Sequence, residues 1–277
     1  MKFILLILSF TVFSLSMAKA QGCGTNTAKY MQSHQQIMSS SGYQAHDTCL
    51  NKKLSLIFHV VLDSNNAPGV TPADISTCVD NLNRYFKRIC ITFMNCTTNY
   101  ISNFNYNRWE QDPHEKQIYN NYYVDSTINI YLVESIITPA NAGGYAYMPG
   151  DSLDMIVVQK SFVTGIVPIH EMGHFFGLPH TFEGPSQGAP SIEFVDGSNC
   201  STTGDLFCDT EADPHPAAED DNRPCSFAYG PADGNGDFYT PPVDNIMTYY
   251  KNCRCRFTQQ QYNHMANMYF LKRNYLH

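Results

Sequence analysis

Three histidines at fixed spacing make residues 170–180 the part of the sequence best suited to chemistry; the segment reads HEMGHFFGLPH. His170 and His174 are four residues apart, so on a helix their imidazoles lie on one face and can bind a single metal ion. Gly177 can end that helix in a left-handed conformation, after which the chain can bring His180 back as a third ligand. Three protein ligands leave one coordination position open, as in a catalytic zinc site.

Glu171 stands beside these histidines and is not expected to bind the metal. A carboxylate here can take a proton from a water that zinc has made acidic and pass it to a leaving amine, which is the chemistry of peptide hydrolysis. The five-residue pattern His-Glu-x-x-His also occurs by chance in proteins that bind no metal. Because the match extends over eleven residues, we predict a zinc peptidase in which Glu171 is general base and acid.

The elements that must position these residues can be predicted from apolar periodicity. The pattern predicts strands at residues 54–62, 89–94, 128–133 and 155–159, and helices at residues 71–87 and 258–271. Elements in this order predict an α+β fold, with a twisted mixed sheet backed by two helices, one of which carries the histidines. Gly143 and Gly144 either open a sheet edge to an extended peptide or form an ordinary turn.

The first 20 residues predict a secretory signal peptide, since a basic second residue precedes a short apolar run and small residues stand before Gln21. All ten cysteines follow it, which fits an oxidising compartment. A net charge of -8 and scattered basic residues argue against nucleic acid and acidic membranes as partners. No later segment is long and apolar enough to span a bilayer. We predict a secreted, extracellular protein, expected to be a monomer.

Residues 21–52 are polar, with weak periodicity, and are interpreted as a pro-segment that lies extended on the rest of the chain. The alternative is a disordered extension without function. The catalytic domain then comprises residues 53–277.

The part after His180 is rich in acidic residues and cysteine, with ten Asp or Glu and a single basic residue in residues 181–224. With few apolar runs, this part needs disulfides or bound cations for support. Oxygen donors alternate over residues 233–237 as at the start of a calcium loop, although Phe238 stands where that loop has glycine. The candidate calcium ligands are Asp205, Asp209, Asp233, Asn235 and Asp237.

A second motif, Asp-Asn-Ile-Met-Thr-Tyr at residues 244–249, follows the histidine segment. With it the chain resembles the metzincin metallopeptidases, and the sequence after His180 together with residues 204–210 (GDLFCDT) resembles the pappalysin family of that clan. The resemblance implies that Met247 lies beneath the zinc in a tight turn. It also implies that Tyr249 stabilises the oxyanion, for which a phenol is a suitable donor.

The resemblance implies an architecture as well. The upper lobe, about residues 53–177, would contain a mixed five-stranded sheet and two helices above the cleft. The lower lobe, about residues 178–277, would be irregular and disulfide-linked, with a C-terminal helix. Some family members bind calcium there and start as zymogens. Members that cut before basic residues have an acidic side chain just after the methionine turn, where this chain has Lys251 and Asn252, so that preference is not carried over.

Cys23, between two glycines, resembles the cysteine with which zymogens of the family cap the zinc. A thiolate is an excellent fourth zinc ligand, and it would keep the enzyme latent until the segment is removed. The alternative is a disulfide, for example with Cys49. Ten cysteines pair evenly, whereas a reserved Cys23 leaves at least one more unpaired thiol, for which Cys253 or Cys255 is the candidate.

The sequence therefore predicts a secreted zinc endopeptidase whose protein or peptide substrates bind as an extended strand. The competing hypothesis is a secreted binding protein on an inactive metalloprotease scaffold. Loss of Glu171 or of a ligand histidine would have indicated such a protein, and neither is lost. A purely structural zinc module is disfavoured, because the candidate ligands are all histidine and leave one position open.

Overall fold

The computed structural model describes residues 22–40, 42–43, 49–140, 142–183, 193–214, 227, 232–250 and 253–277. The predicted signal peptide, and Lys251 and Asn252, lie outside these ranges. The helices are α1 (Ala28–Met38), α2 (Pro72–Phe86), α3 (Gln111–Tyr122), α4 (Val167–Phe175) and α5 (Gln259–Lys272). The strands are β1 (Gly22–Cys23), β2 (Lys52–Val61), β3 (Ile91–Ile101), β4 (Arg108–Glu110), β5 (Ile128–Val133), β6 (Ser135–Thr138), β7 (Ala142–Ala146) and β8 (Ile156–Gln159).

The main sheet is mixed, as predicted. Five of its strands lie in the order β7-β8-β5-β2-β3. Strand β7 is antiparallel to β8, and the other neighbouring strands in this set are parallel. The two-residue strand β1 adds a sixth position, because it pairs with β7 in parallel. The N-terminal segment therefore covers the sheet edge that β7 would otherwise leave open.

Two helices pack on one face of this sheet. Helix α2 begins at the capping box of Thr71 and Asp74 and buries Ile75, Leu82 and Phe86, which confirms the predicted spacing. Helix α4 joins the same apolar core through Ile169 and Met172, together with Phe176 directly after the helix. Packing α4 against the sheet holds the histidine segment rigidly beneath the edge strand β7.

The opposite face of the sheet is also covered, which the sequence did not predict. The short pair β4 and β6, together with α3, encloses a second apolar cluster around Trp109, Tyr131 and Tyr145. The central strand β5 is buried along its whole length, as expected for a strand covered on both sides. Trp109 lies in the three-residue strand β4, which is too short for a periodic pattern to be recognised.

The N-terminal segment is not simply extended, since it contains the helix α1. Its periodicity is weak, and the helix is held by docking: Tyr30, Met31 and His34 are buried against the rest of the protein. Most helical stability in proteins comes from such packing rather than from propensity, which explains why the sequence alone missed it.

The predicted lower lobe has no helix or strand among its described residues before α5. Cys200 and Cys208 form a disulfide in it, and Cys253 is also disulfide-bonded, whereas Cys255 is free. Helix α5 begins at a capping box of Thr258 and Gln261, in agreement with the helix predicted over residues 258–271. Within the described ranges, no helix combines the length and apolar character needed to cross a bilayer.

Candidate metal centre and active site

Helix α4 ends at Phe175, five residues before the third histidine. Gly177 has a φ of 87°, in the left-handed region that favours glycine. The Leu178 amide then donates to the carbonyl of Gly173, and the chain turns so that His180 returns toward the helix. The turn predicted from Gly177 is confirmed.

The three imidazoles converge through the same ring nitrogen. His174 Nε2 lies 3.1 Å from His170 Nε2 and 3.1 Å from His180 Nε2. Ligands bound to one tetrahedral zinc at the usual bond length would be about 3.3 Å apart. The three Nε2 atoms therefore fit a single zinc ion.

Each opposite ring nitrogen faces a hydrogen-bond acceptor. His170 Nδ1 lies 2.7 Å from the carbonyl oxygen of Ile246, and His174 Nδ1 lies 2.7 Å from that of Leu178. His180 Nδ1 lies 2.8 Å from Glu183 Oε1. With Nδ1 donating to these acceptors, each Nε2 lone pair is directed to the shared centre, as in outer-shell support of metal-binding histidines. Glu183 was not singled out from the sequence, although its position three residues after His180 was a usable signal.

Burial keeps the imidazoles of His170 and His174 neutral. The pKa values of His170 and His174 are far below the usual range, first because burial disfavours the charged ring and then because of the nearby His180. A neutral imidazole is the form that binds a metal, so these two donors suit zinc without prior loss of protons.

Cys23 joins this group from the far end of the chain. Its Sγ and the ligand nitrogens of the three histidines all lie within 4.8 Å of one another, and no other metal-binding group of three or more such side chains is found in the part of the chain that the structure describes. Cys23 is a free thiol, while Cys49 pairs with Cys90, so the alternative disulfide between Cys23 and Cys49 is wrong. The glycine-flanked cysteine is thus in position to act as a fourth ligand.

Glu171 lies next to the histidines and is almost fully buried. Its Oε2 accepts hydrogen bonds from Cys23 Sγ at 3.2 Å and from Thr25 Oγ1 at 3.1 Å, and its Oε1 has no partner. Burial raises the pKa of Glu171 to about 8, and the two hydrogen bonds moderate that rise. A carboxyl with a pKa near neutrality is suited to receive a proton and give it up again. Thr25 had no recognisable signal in the sequence.

Tyr249 faces the same space. Its hydroxyl donates to the Cys23 carbonyl at 3.0 Å, and its ring centroid lies 4.8 Å from that of His180. Burial and then the neighbouring Cys23 and Glu171 raise the pKa of Tyr249 well above its usual value, which keeps the phenol protonated as a donor. In this structure the Tyr249 hydroxyl donates its hydrogen bond to the backbone of the N-terminal segment.

Met247 lies beneath α4, as the resemblance implied. A Cβ atom at Gly173 would come within 2.6 Å of Met247 Sδ, so glycine is required there for the turn to approach the helix. The Met247 amide donates to Asn245 Oδ1, and its carbonyl accepts from the Thr181 amide. These bonds tie the turn to the segment that carries His180.

Gly144 belongs to the edge strand β7 rather than to a turn. A Cβ there would meet Val167, Glu171 and the Val157 carbonyl at about 3 Å. Glycine at this position therefore allows α4 to pack closely against β7. From the sequence alone, one interpretation is instead that the glycine makes room for a substrate backbone.

The candidate calcium ligands are not gathered at one point. Asp233 Oδ1 accepts from the amides of Asn235 and Asp237, so this carboxylate caps its own turn, and Asp209 accepts from the Gln260 amide at the start of α5. Asp205 is different: it is fully buried, and among the described residues its Oδ2 has no hydrogen-bond partner. Burial and the nearby Glu193 raise the pKa of Asp205.

Fold and site together define a zinc metalloprotease of the metzincin type. The model of a peptidase family, M43, described as pregnancy-associated plasma protein-A, matches residues 110–269, more than half of the chain. The chain belongs to this pappalysin family of metalloproteases.

Relatives and solved structures agree with that assignment. An extracellular metalloprotease of Neurospora crassa is 26% identical over 281 aligned residues, which cover 90% of this chain and 88% of the relative. One of Sordaria macrospora is 28% identical over 240 residues, covering 78% and 74%. Mature mirolysin of Tannerella forsythia, in complex with a cleaved peptide, is similar in fold with a TM-score of 0.55 and 19% identity, covering 77% of this chain and 89% of that one.

Proposed function

We propose that this protein is a secreted endopeptidase that hydrolyses peptide bonds by using zinc held by His170, His174 and His180. The observation that carries the proposal is the convergence of three histidine Nε2 atoms beside the buried carboxyl of Glu171. The catalytic glutamate is retained, which argues against a binding protein on an inactive scaffold.

Glu171 and Tyr249 have different roles in the proposed reaction. Zinc, when bound, would supply a Lewis acid that polarises the scissile carbonyl and acidifies the attacking water. Glu171 takes the proton of that water at a carboxylate oxygen and later gives it to the leaving amine. The Tyr249 hydroxyl, protonated at neutral pH, donates to the carbonyl oxygen as negative charge develops there.

The substrate is proposed to bind as an extended strand on the edge of β7. The support is the way in which the N-terminal segment binds there: β1 pairs with β7, and the Gly24 amide donates to the Gly144 carbonyl at 2.9 Å. A peptide that replaced this segment would find the same backbone groups, which is how extended peptides add to a sheet edge.

Residues 21–52 are proposed to be a pro-segment that keeps the enzyme latent. The support is that Cys23 Sγ lies next to the histidine nitrogens. Thr25 and Cys23 donate hydrogen bonds to the carboxylate of Glu171, and the Cys23 carbonyl accepts one from the Tyr249 hydroxyl. Every group assigned to catalysis is thus engaged by the segment. Export through a signal peptide at residues 1–20 is part of the proposal, and the relatives named extracellular support it.

The test of the mechanism separates metal binding from proton transfer. Glu171→Ala and the equally sized Glu171→Gln should each retain about one zinc per chain, because neither removes a ligand, and should lose peptide cleavage by several orders of magnitude. Zinc is measured by atomic absorption and turnover with a quenched fluorescent peptide on the same samples. Near-normal turnover in either variant would remove Glu171 from the mechanism.

Calcium is proposed to support the lower lobe, and the buried, unpartnered Oδ2 of Asp205 beside Glu193 is the feature in its favour. Oxygen ligands from such carboxylates suit calcium. Added calcium should raise the melting temperature of the wild type more than that of Asp205→Asn. An unchanged melting temperature after selective removal of calcium, with zinc retained, would contradict this.

A further inference from the structure

Arg254 is a cationic side chain close to the active site, and it has no role in the proposed hydrolysis step itself. It follows the methionine turn, and its Nη1 donates to the Thr248 carbonyl at 3.3 Å, which directs the guanidinium along that turn. Its charge acts on Glu171, Tyr249 and Cys23. These are the groups that surround the proposed position of the scissile bond.

The charge of Arg254 has no partner of opposite sign at contact distance. In the described ranges no carboxylate lies within ion-pair distance of its guanidinium, although the side chain is partly buried and burial lowers its pKa. Two other arginines of the same region contrast with it. Arg256 is paired with Asp244 and Glu211, and Arg273 is paired with Asp154.

A desolvated guanidinium without a carboxylate is costly unless a ligand supplies the negative charge. The described residues of the N-terminal segment, 22–40, 42–43 and 49–52, contain no Asp or Glu, so they bring no carboxylate to Arg254. A peptide bound in place of that segment would carry its side chains past the same groups. An Asp or Glu side chain could then form a paired, fork-like set of hydrogen bonds with the guanidinium.

We propose that Arg254 is a specificity-determining residue that selects substrates with an acidic side chain next to the scissile bond. This inference rests on the proposed peptidase function and adds a substrate class to it. The guanidinium binds the substrate carboxylate, while Glu171 and Tyr249 act on the peptide bond itself.

The test uses peptides that are identical except at the two residues that flank the cleaved bond, with Glu compared with Gln at each. The zinc-loaded chain, activated by limited proteolysis of the N-terminal segment, should cleave the Glu peptide roughly 10- to 100-fold more efficiently by kcat/KM at one of the two positions, as expected for a hydrogen-bonded charge pair. That ratio should decrease with ionic strength.

Variants of Arg254 then assign the ratio to this residue. Arg254→Gln should bring the Glu to Gln ratio close to one, Arg254→Lys should retain part of it, and Arg254→Glu should favour a Lys peptide instead. Arg256→Gln removes a similar charge two residues away that is already paired, and it should leave the ratio unchanged. Fluorescence anisotropy with Glu171→Ala should give the same preference in Kd without turnover.

Three results would overturn the inference. Equal cleavage of Glu and Gln peptides by the wild type would exclude acidic selectivity. A ratio that persists in Arg254→Gln would assign it to another residue. An equal loss for both peptides in Arg254→Gln would leave Arg254 with the structural role of holding the Thr248 carbonyl. If none of the peptides is cleaved or bound, the peptidase proposal itself fails as well, which separates that outcome from the other three.

Discussion

Two groups of buried histidines link the N-terminal segment to the rest of the protein, and they differ in what their ring nitrogens contact. At the metal centre, the histidines of α4 and its following turn meet Cys23. In the second group, His34 of α1 packs edge-on against His264 of α5, with ring centroids 4.7 Å apart. Burial lowers the pKa of His34 to about 4 and that of His264 far below its usual value, just as it does for His170 and His174.

Burial and charge state therefore do not distinguish a ligand from a packing histidine, whereas hydrogen-bond partners do. In the second group His264 contacts the hydroxyls of Tyr30 at 3.1 Å and Tyr43 at 3.3 Å, and it also contacts the backbone of Gly177. His34 Nε2 lies 3.2 Å from the Asp205 carbonyl. Among the described residues, no third metal-binding side chain joins these two histidines in a cluster. At the metal centre every Nδ1 has an acceptor and every Nε2 faces the others, which is the arrangement that a shared cation stabilises.

The largest expected effect tests this distinction directly. His174→Ala should reduce zinc affinity by at least roughly 100-fold and abolish cleavage, since loss of even an outer partner of a ligand costs about 10- to 100-fold. His264→Ala, an equal truncation in the other group, should keep about one zinc per chain while it lowers stability by about 1–3 kcal/mol. Zinc content after dialysis and thermal unfolding provide the measurements. Zinc loss in His264→Ala would remove the distinction.

A tyrosine at the metal centre should differ from a buried tyrosine elsewhere in the catalytic domain. Tyr249→Phe should lower kcat by roughly 10- to 1000-fold with little change in KM, because its hydroxyl is proposed to act in the transition state. Tyr262→Phe removes a hydroxyl that donates to the Tyr85 carbonyl and should leave kcat of the activated enzyme unchanged. Steady-state kinetics on one peptide compare the two. A change confined to KM in Tyr249→Phe would argue against an oxyanion role.

A smaller effect tests whether the N-terminal segment, which contacts both groups of histidines, keeps the enzyme latent. Cys23→Ala should make the uncleaved precursor at least about tenfold more active, since loss of even 1.4 kcal/mol of segment binding shifts the balance by that factor. Cys78→Ala changes another buried free thiol, in α2, and should remain latent. Peptidase activity is compared before any processing. A Cys23→Ala precursor as latent as the wild type would leave Cys23 with a structural role only.

The predictable parts of the fold are those with a local pattern. Helix α2 follows from Thr71, Pro72 and a 3.6-residue apolar spacing, and β5 was predicted at the bounds that the structure has. By contrast, α1 and α3 have weak local patterns and depend on what they pack against, so periodicity could not find them. The calcium candidates rested on composition and on one incomplete loop pattern, and their positions are spread over separate turns.

The sequence by itself determined the histidines proposed as ligands, the glutamate beside them and the turn at Gly177, because helix geometry converts the spacing of His170 and His174 into positions on one face. Only the tertiary structure decided that Cys23 meets Glu171 across 148 residues of chain, that Glu183 and the Ile246 carbonyl orient the ligands, and that Arg254 has no carboxylate partner in the described ranges. Spacing constrains residues within one helix, whereas contacts between distant segments depend on how the whole core packs.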